Sequence, residues 1–186
     1  IVALLLSRNF HPEKIYAVEL QKKAYEQLLK SKEKSGAGEI EPVHMDLKEF
    51  KLSEQLDVVT CNPPYKINNT GLKNASDEVT IARHETECTV YDVCQAAKRL
   101  LKYGGRLCIC NRPERLADVM EAMRQNGIEP KRLRTVQKNP QSDPWLILVE
   151  GRLGGSKYLK IEKPLYVMDE DGGYSQEMRR IYKLTD

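Results

Sequence analysis

The 186-residue chain lacks any apolar run approaching the roughly 18–20 residues that span a bilayer, which argues against a membrane partner. Its most apolar stretch, Ile1-Val2-Ala3-Leu4-Leu5-Leu6, is short and has no basic segment before it, unlike a signal peptide. It is expected to form the buried face of a helix. The five cysteines, Cys61, Cys88, Cys94, Cys108 and Cys110, are odd in number and form no Cys-x-x-Cys pair. That argues against a zinc site or a disulfide framework, and for small apolar thiols in a reducing cytoplasm. Any excess of charge of one sign is also small. A net charge of +3 permits a nucleic-acid partner without demanding one. There is no internal repeat and no low-complexity stretch. With 40% hydrophobic and 31% charged residues, the chain reads as one globular domain over residues 1–186, a monomer or weak dimer.

What is present alternates strand and helix. The pattern predicts a helix from Val2 to about Asn9, a strand at 14–20, and a helix from Gln21 to about Ser35 closed by Gly36-Ala37-Gly38. Strands at 40–45 and 56–61 follow. Residues 66–85 are polar, with Asn68-Asn69, Gly71 and Asn74, as in a mobile loop. The next helix is predicted from about Thr89 to Lys102, with Gly104-Gly105 as its stop. A strand at 106–110, a helix at 114–125 capped by Gly127, a strand near 132–136 and a last core strand at 145–150 complete the domain. Residues 151–186 are expected to pack on it as an extension. Asp169-Glu170-Asp171-Gly172 lacks the later ligands of a calcium loop and reads as an acidic turn, and no metal is expected.

Strands separated by helices of this length imply crossovers and a mostly parallel sheet. The ending departs from that rule. Asn139-Pro140-Gln141-Ser142-Asp143-Pro144 leaves no room for a crossover helix, so the strands it joins should be antiparallel. The expected fold class is therefore α/β and Rossmann-like, a mostly parallel sheet with an antiparallel C-terminal hairpin, which is the methyltransferase variant. One part is missing from the pattern. No glycine-rich loop precedes Glu19, although this fold needs one between its first strand and first helix. The first strand and that loop are expected upstream of Ile1.

The sharpest motif is Asn62-Pro63-Pro64-Tyr65, directly after the strand 56–61. Ligands of doubly wound sheets bind at the carboxyl ends of strands, so a site belongs here. An amine conjugated to an aromatic ring is a poor nucleophile, because its lone pair is delocalised. The side-chain oxygen of Asn62 and the carbonyl of Pro63 can hold its two hydrogens and draw the lone pair out of conjugation. The prolines Pro63 and Pro64 fix the backbone and remove competing donors. Tyr65 can stack on a base that has left its neighbours. Glu19 ends its strand before Leu20, where an acidic residue hydrogen-bonds ribose hydroxyls. Asp46, before Leu47, also ends a strand and could accept from a cofactor's adenine amine; alone, it is equally an ordinary turn aspartate.

Asn-Pro-Pro-Tyr resembles the signature of methyltransferases that act on amino groups of bases or on glutamine amides. Over roughly residues 1–182 the chain resembles the valine-tRNA adenine methyltransferase family, a class I fold. The residues that carry this are Val18-Glu19-Leu20, Asn62-Pro63-Pro64-Tyr65, Ala82-Arg83-His84-Glu85 and Pro164-Leu165-Tyr166-Val167-Met168-Asp169-Glu170-Asp171-Gly172. The resemblance implies S-adenosyl-L-methionine as cofactor, held by Glu19, Leu20, Asp46, Leu47 and Asn62. It implies Asn62, Pro63, Pro64 and Tyr65 as the catalytic set and an anticodon-loop adenine of tRNA as substrate. Lys66, Arg83 and His84 are candidates for contacting that RNA. Methylation of ribosomal RNA or of a protein glutamine remains open, as does a non-catalytic RNA-binding module. The lysines and arginines around the loop favour nucleic acid.

Overall fold

The computed structural model describes residues 2–63 and 88–184. They divide into two compact units, Ile1–Lys51 and Leu52–Asp186.

The first unit holds α1 (Val2–Phe10), β1 (Ile15–Glu19), α2 (Lys22–Ser35) and β2 (Ile40–His44). β1 and β2 pair in parallel, with Ile15 opposite Ile40 and Glu19 opposite His44. α2 ends because Gly36 takes the left-handed conformation, φ 64°, which costs least without a Cβ. Its amide returns to the Glu33 carbonyl and that of Ala37 to the Lys32 carbonyl, capping the last turn. Ala37, Ile40 and Phe50 are buried, and the Tyr16 ring meets that of Phe50 at 5.9 Å. The apolar opening differs from the expected buried face. Val2 and Leu5, three residues apart on one side of α1, are 47% and 37% exposed, and only Ser7 is buried, bonded to Glu39. Among the described residues no helix is long and apolar enough to cross a membrane.

The second unit holds β3 (Leu56–Cys61), α3 (Val90–Leu100), β4 (Leu101–Asn111), a 3₁₀ turn (Pro113–Arg115), α4 (Leu116–Gln125), β5 (Ile128–Gln137), β6 (Leu146–Leu153), β7 (Lys160–Ile161), β8 (Leu165–Tyr166) and α5 (Gln176–Tyr182). The sheet order is β3-β4-β6-β5-β7, with β8 also on β5. β3 and β4 are parallel, and β7 and β8 are parallel to β5. β6 is antiparallel to both of its neighbours, so it alone runs against the rest. The hairpin predicted from the short 139–144 turn is present.

α3 starts on a capping box: the Thr89 hydroxyl accepts from the Asp92 amide, and the Asp92 carboxylate accepts from the Thr89 amide. Gly104-Gly105 does not stop this helix, contrary to the sequence reading. α3 ends at Leu100 and β4 begins at once. The register jumps from Leu56 opposite Leu101 to Val58 opposite Arg106, and the intervening residues bulge through Gly104, φ 79°. The glycines therefore shape a strand irregularity, which the motif alone does not distinguish from a helix stop.

Alternation along β4 and β6 separates two faces. Leu107, Ile109, Ile147 and Val149 turn to the core beneath Val93, Ala97 and Leu100 of α3 and Val119, Ala122 and Met123 of α4. The opposite face carries Leu146 and Leu148, on which Val136, Leu165 and Met178 form a smaller apolar cluster. Ion pairs fasten the extension on this side. Arg132 grips Glu162 with two hydrogen bonds of 2.9 and 3.0 Å, and Arg134 grips Glu177 with two of 2.6 Å. The Arg132 guanidinium holds the Glu162 carboxyl down to about 2, well below the usual carboxylate range. A carboxyl lowered on folding stabilises the fold above its unfolded pKa, and that stabilisation fades as pH falls through the folded value. Thermal unfolding measured from about pH 4.5 down to about 2 should therefore show a steeper loss of Tm in the wild type than in Glu162→Gln. Parallel curves would show that this pair does not couple the extension to the fold.

Candidate active site

β3 delivers Asn62 to the carboxyl edge of the larger sheet. Asn62 is exposed and Pro63, next in the chain, is buried, so the motif leaves the strand from a fixed backbone. The Cys110 thiol donates to the Asn62 side-chain oxygen at 3.1 Å. The strand register explains this contact. Cys61 stands opposite Ile109, which sets Asn62 beside Cys110, one place before β4 ends. The thiol thereby helps orient the carboxamide.

Cys61 is close enough to Cys88, Cys94 and Cys110 to interact electrostatically with all three. Burial pushes the Cys61 and Cys94 thiols up to about 12 and raises that of Cys108. These groups behave as uncharged packing, in agreement with the sequence reading of the cysteines. Beyond Cys110, Asn111 is 2% exposed and its side-chain oxygen accepts the Arg112 amide at 2.8 Å. The Arg112 guanidinium donates to the Trp145 carbonyl at 3.4 Å, tying the end of β4 to the start of β6.

Glu19 and Asp46 lie in the first unit, at the carboxyl ends of β1 and β2. The Met45 amide bonds the Glu19 carbonyl at 3.2 Å, so the two acids follow adjacent strand ends. Glu19 Oε1 accepts the Gln21 amide at 2.9 Å, while Oε2 has no partner among the described residues. An ionised carboxylate fixed by one oxygen and open at the other suits a pair of ribose hydroxyls. Asp46 fastens its own turn: Oδ1 accepts the Lys48 amide at 2.8 Å, and Oδ2 lies 3.5 Å from the Lys48 ammonium. Leu20 is 46% exposed, and its carbonyl accepts from His44 Nε2 at 3.0 Å. Leu47 is half-buried in the turn. Pro64, Tyr65, Lys66, Arg83 and His84 lie outside the described residues. Sequence reasoning missed Cys110, Arg112 and Trp145.

No protein-family model matches the chain. The crystal structure of a predicted O-methyltransferase from Agrobacterium tumefaciens superposes with a TM-score of 0.76 at 15% identity, covering 97% of this chain and 82% of that one. The fold is that of the class I methyltransferases. A tRNA1(Val) (adenine(37)-N6)-methyltransferase of Pseudoalteromonas translucida is 26% identical over 180 residues, 95% of this chain and 75% of that protein. The protein of the same name from Flavobacterium johnsoniae is 26% identical over 146 residues, 77% of this chain and 61% of its own length. Asn62 thus stands at the carboxyl ends of the parallel strands, the edge at which doubly wound sheets in general bind ligands.

The thiol environment yields a direct test. At about pH 8 a pKa near 12 leaves Cys61 and Cys94 ionised on the order of 10³-fold less than an ordinary cysteine. Their reaction with a chromogenic disulfide should lag accordingly in the native protein and become fast in denaturant. Rapid modification of Cys94 before unfolding, located by mass spectrometry, would contradict its buried placement, and rapid modification of the half-buried Cys61 would contradict the raised thiol pKa.

Proposed function

We propose that this chain acts as an S-adenosyl-L-methionine-dependent methyltransferase on the exocyclic amine of an adenine in tRNA, the anticodon-loop adenine of a valine tRNA. The observation that carries the reading is the exposed Asn62 at the carboxyl end of β3, its oxygen oriented by Cys110. The activity named for the two relatives supports the same substrate. A reducing cytoplasm is the compartment that a tRNA substrate and five free cysteines suggest.

The residues present fit the cofactor. Glu19 offers an open carboxylate oxygen for ribose hydroxyls, and the Asp46-Leu47 turn stands beside it for the adenine end. When bound, S-adenosyl-L-methionine supplies a methyl group activated on a sulfonium. The chain's own part is to prepare the acceptor. Asn62 Oδ1 and the Pro63 carbonyl would take the two amine hydrogens and draw the nitrogen lone pair out of conjugation with the ring. A methylated amine would be cationic and lose its proton readily to water, so this chemistry calls for no side-chain base. An anticodon loop suits this chemistry because its bases can be splayed out cheaply.

Because the Asn62 oxygen matters most as the amine rehybridises, its contribution is larger in the transition state than in the ground state. In the full-length protein, Asn62→Ala should slow single-turnover methylation of an unmodified valine tRNA transcript by roughly 10²–10³-fold. Cofactor and tRNA affinities should hardly change. Methylation at the wild-type rate would disprove the amine-holding role. Glu19→Ala should instead weaken cofactor binding by about 1–3 kcal/mol, the range for a lost hydrogen bond to a charged group. Calorimetry giving an unchanged affinity would remove Glu19 from the cofactor site.

A further inference from the structure

Three neighbouring strands meet at the edge that carries Asn62. β3 and β4 end there, at Cys61 and Asn111, and β6 begins there, because it runs the other way. Asn62 is level with Cys110 and hence with Leu148 across β4, and Trp145 lies two strands over and three residues further along, roughly 14 Å away. That distance is about four nucleotides of a stacked strand at 3.4 Å each.

Trp145 is the one tryptophan in the 186 residues, and it is 47% exposed. Its indole N–H has no hydrogen-bond partner among the described residues. Its backbone, by contrast, is fixed at both ends. The Trp145 amide donates to the Val136 carbonyl at 3.1 Å, and its carbonyl accepts from Arg112. The preceding turn is tied internally: the Asn139 amide donates to Ser142 Oγ at 3.0 Å, which donates back to the Asn139 carbonyl at 2.9 Å. A large aromatic ring held on a rigid hairpin and left half in water is a stacking platform, since ordering it costs little further entropy. The charges around it select the occupant. Arg112 and Lys138 are exposed on the strand ends either side, with Asp143 the one carboxylate in the turn.

We propose that Trp145, flanked by Arg112 and Lys138, is a second RNA-contacting surface, stacking a base a few nucleotides from the one presented to Asn62. This rests on the RNA methylation reading above and deepens it. Stacking of this kind tolerates any base, so Trp145 contributes affinity and register, and the phosphates on either side meet the two cations.

The test uses the full-length protein and a valine-tRNA anticodon stem-loop. Trp145→Ala should raise KM and Kd by about 5- to 150-fold with kcat nearly unchanged, matching the range for one lost base stack. Trp145→Phe should recover most of the affinity, since the ring face remains. Arg112→Ala should weaken binding and reduce the salt dependence by about one phosphate contact. Should Trp145→Ala fold poorly, the difference in tryptophan emission between wild type and Trp145→Phe reads the same contact. RNA should quench it. Wild-type KM in Trp145→Ala, or no quenching, overturns the surface while leaving Asn62 chemistry intact. An RNA that quenches and binds but is not methylated overturns the methylation reading and leaves the surface standing. A glutamine peptide that quenches in place of RNA overturns the RNA assignment.

Discussion

The direction of β6 is the constraint on which the candidate site depends. A purely parallel sheet gathers only strand carboxyl ends at its ligand edge. Inserting one antiparallel strand between β4 and β5 brings a strand beginning to the same place, hydrogen-bonded on both sides. That is how the hairpin turn, Trp145 and Arg112 come to share an edge with Asn62. The insertion also demands close packing. A Cβ on Gly151 would lie 2.6 Å from Ile128 Cγ2 and 3.0 Å from Met123 Sδ, so α4 and β5 approach β6 only because that residue is glycine.

The opposite face of the sheet is organised differently. It is covered near the site edge by the cluster of Val136, Leu165 and Met178, and further along by charges. Arg132 and Arg134 sit on β5 at alternate positions, so both guanidinium groups point to this side. Each meets a carboxylate from the extension through two parallel hydrogen bonds. Isolated surface ion pairs contribute little stability, but a bidentate fork fixes direction as well as distance. Apolar burial holds the extension down, and the forks set its register against β5.

Much of this was legible in the sequence for identifiable reasons. The hairpin followed from a turn too short to hold a helix, and the positions of Glu19 and Asn62 at strand ends from the apolar runs before them. The errors also have causes. Gly104-Gly105 suited a helix stop as well as a bulge, and only the pairing of Leu56 and Val58 decides between them. The apolar Ile1–Leu6 run has the composition of a buried face, but composition does not say which residues of a short helix turn outward. The contacts of Asn62 were out of reach, because Cys110 is distant in sequence and register across a parallel pair is set by tertiary packing.

A thiol beside Asn62 is physically apt. A lysine there would bond the carboxamide oxygen through a full charge, and a hydroxyl would bond it more strongly than sulfur does. Either would lower the ability of that oxygen to accept from an amine. The S–H group is a weak donor, so it can select the orientation of the carboxamide while competing little for its lone pairs. The surrounding Cys61 and Cys94, kept uncharged by burial, place no negative charge near the nitrogen that must become cationic. Such a charge would stabilise the developing cation more than the neutral amine, so the uncharged thiols themselves add no electrostatic acceleration. On the proposed mechanism, neutral sulfur packing leaves the discrimination between the two states to Asn62 and the Pro63 carbonyl.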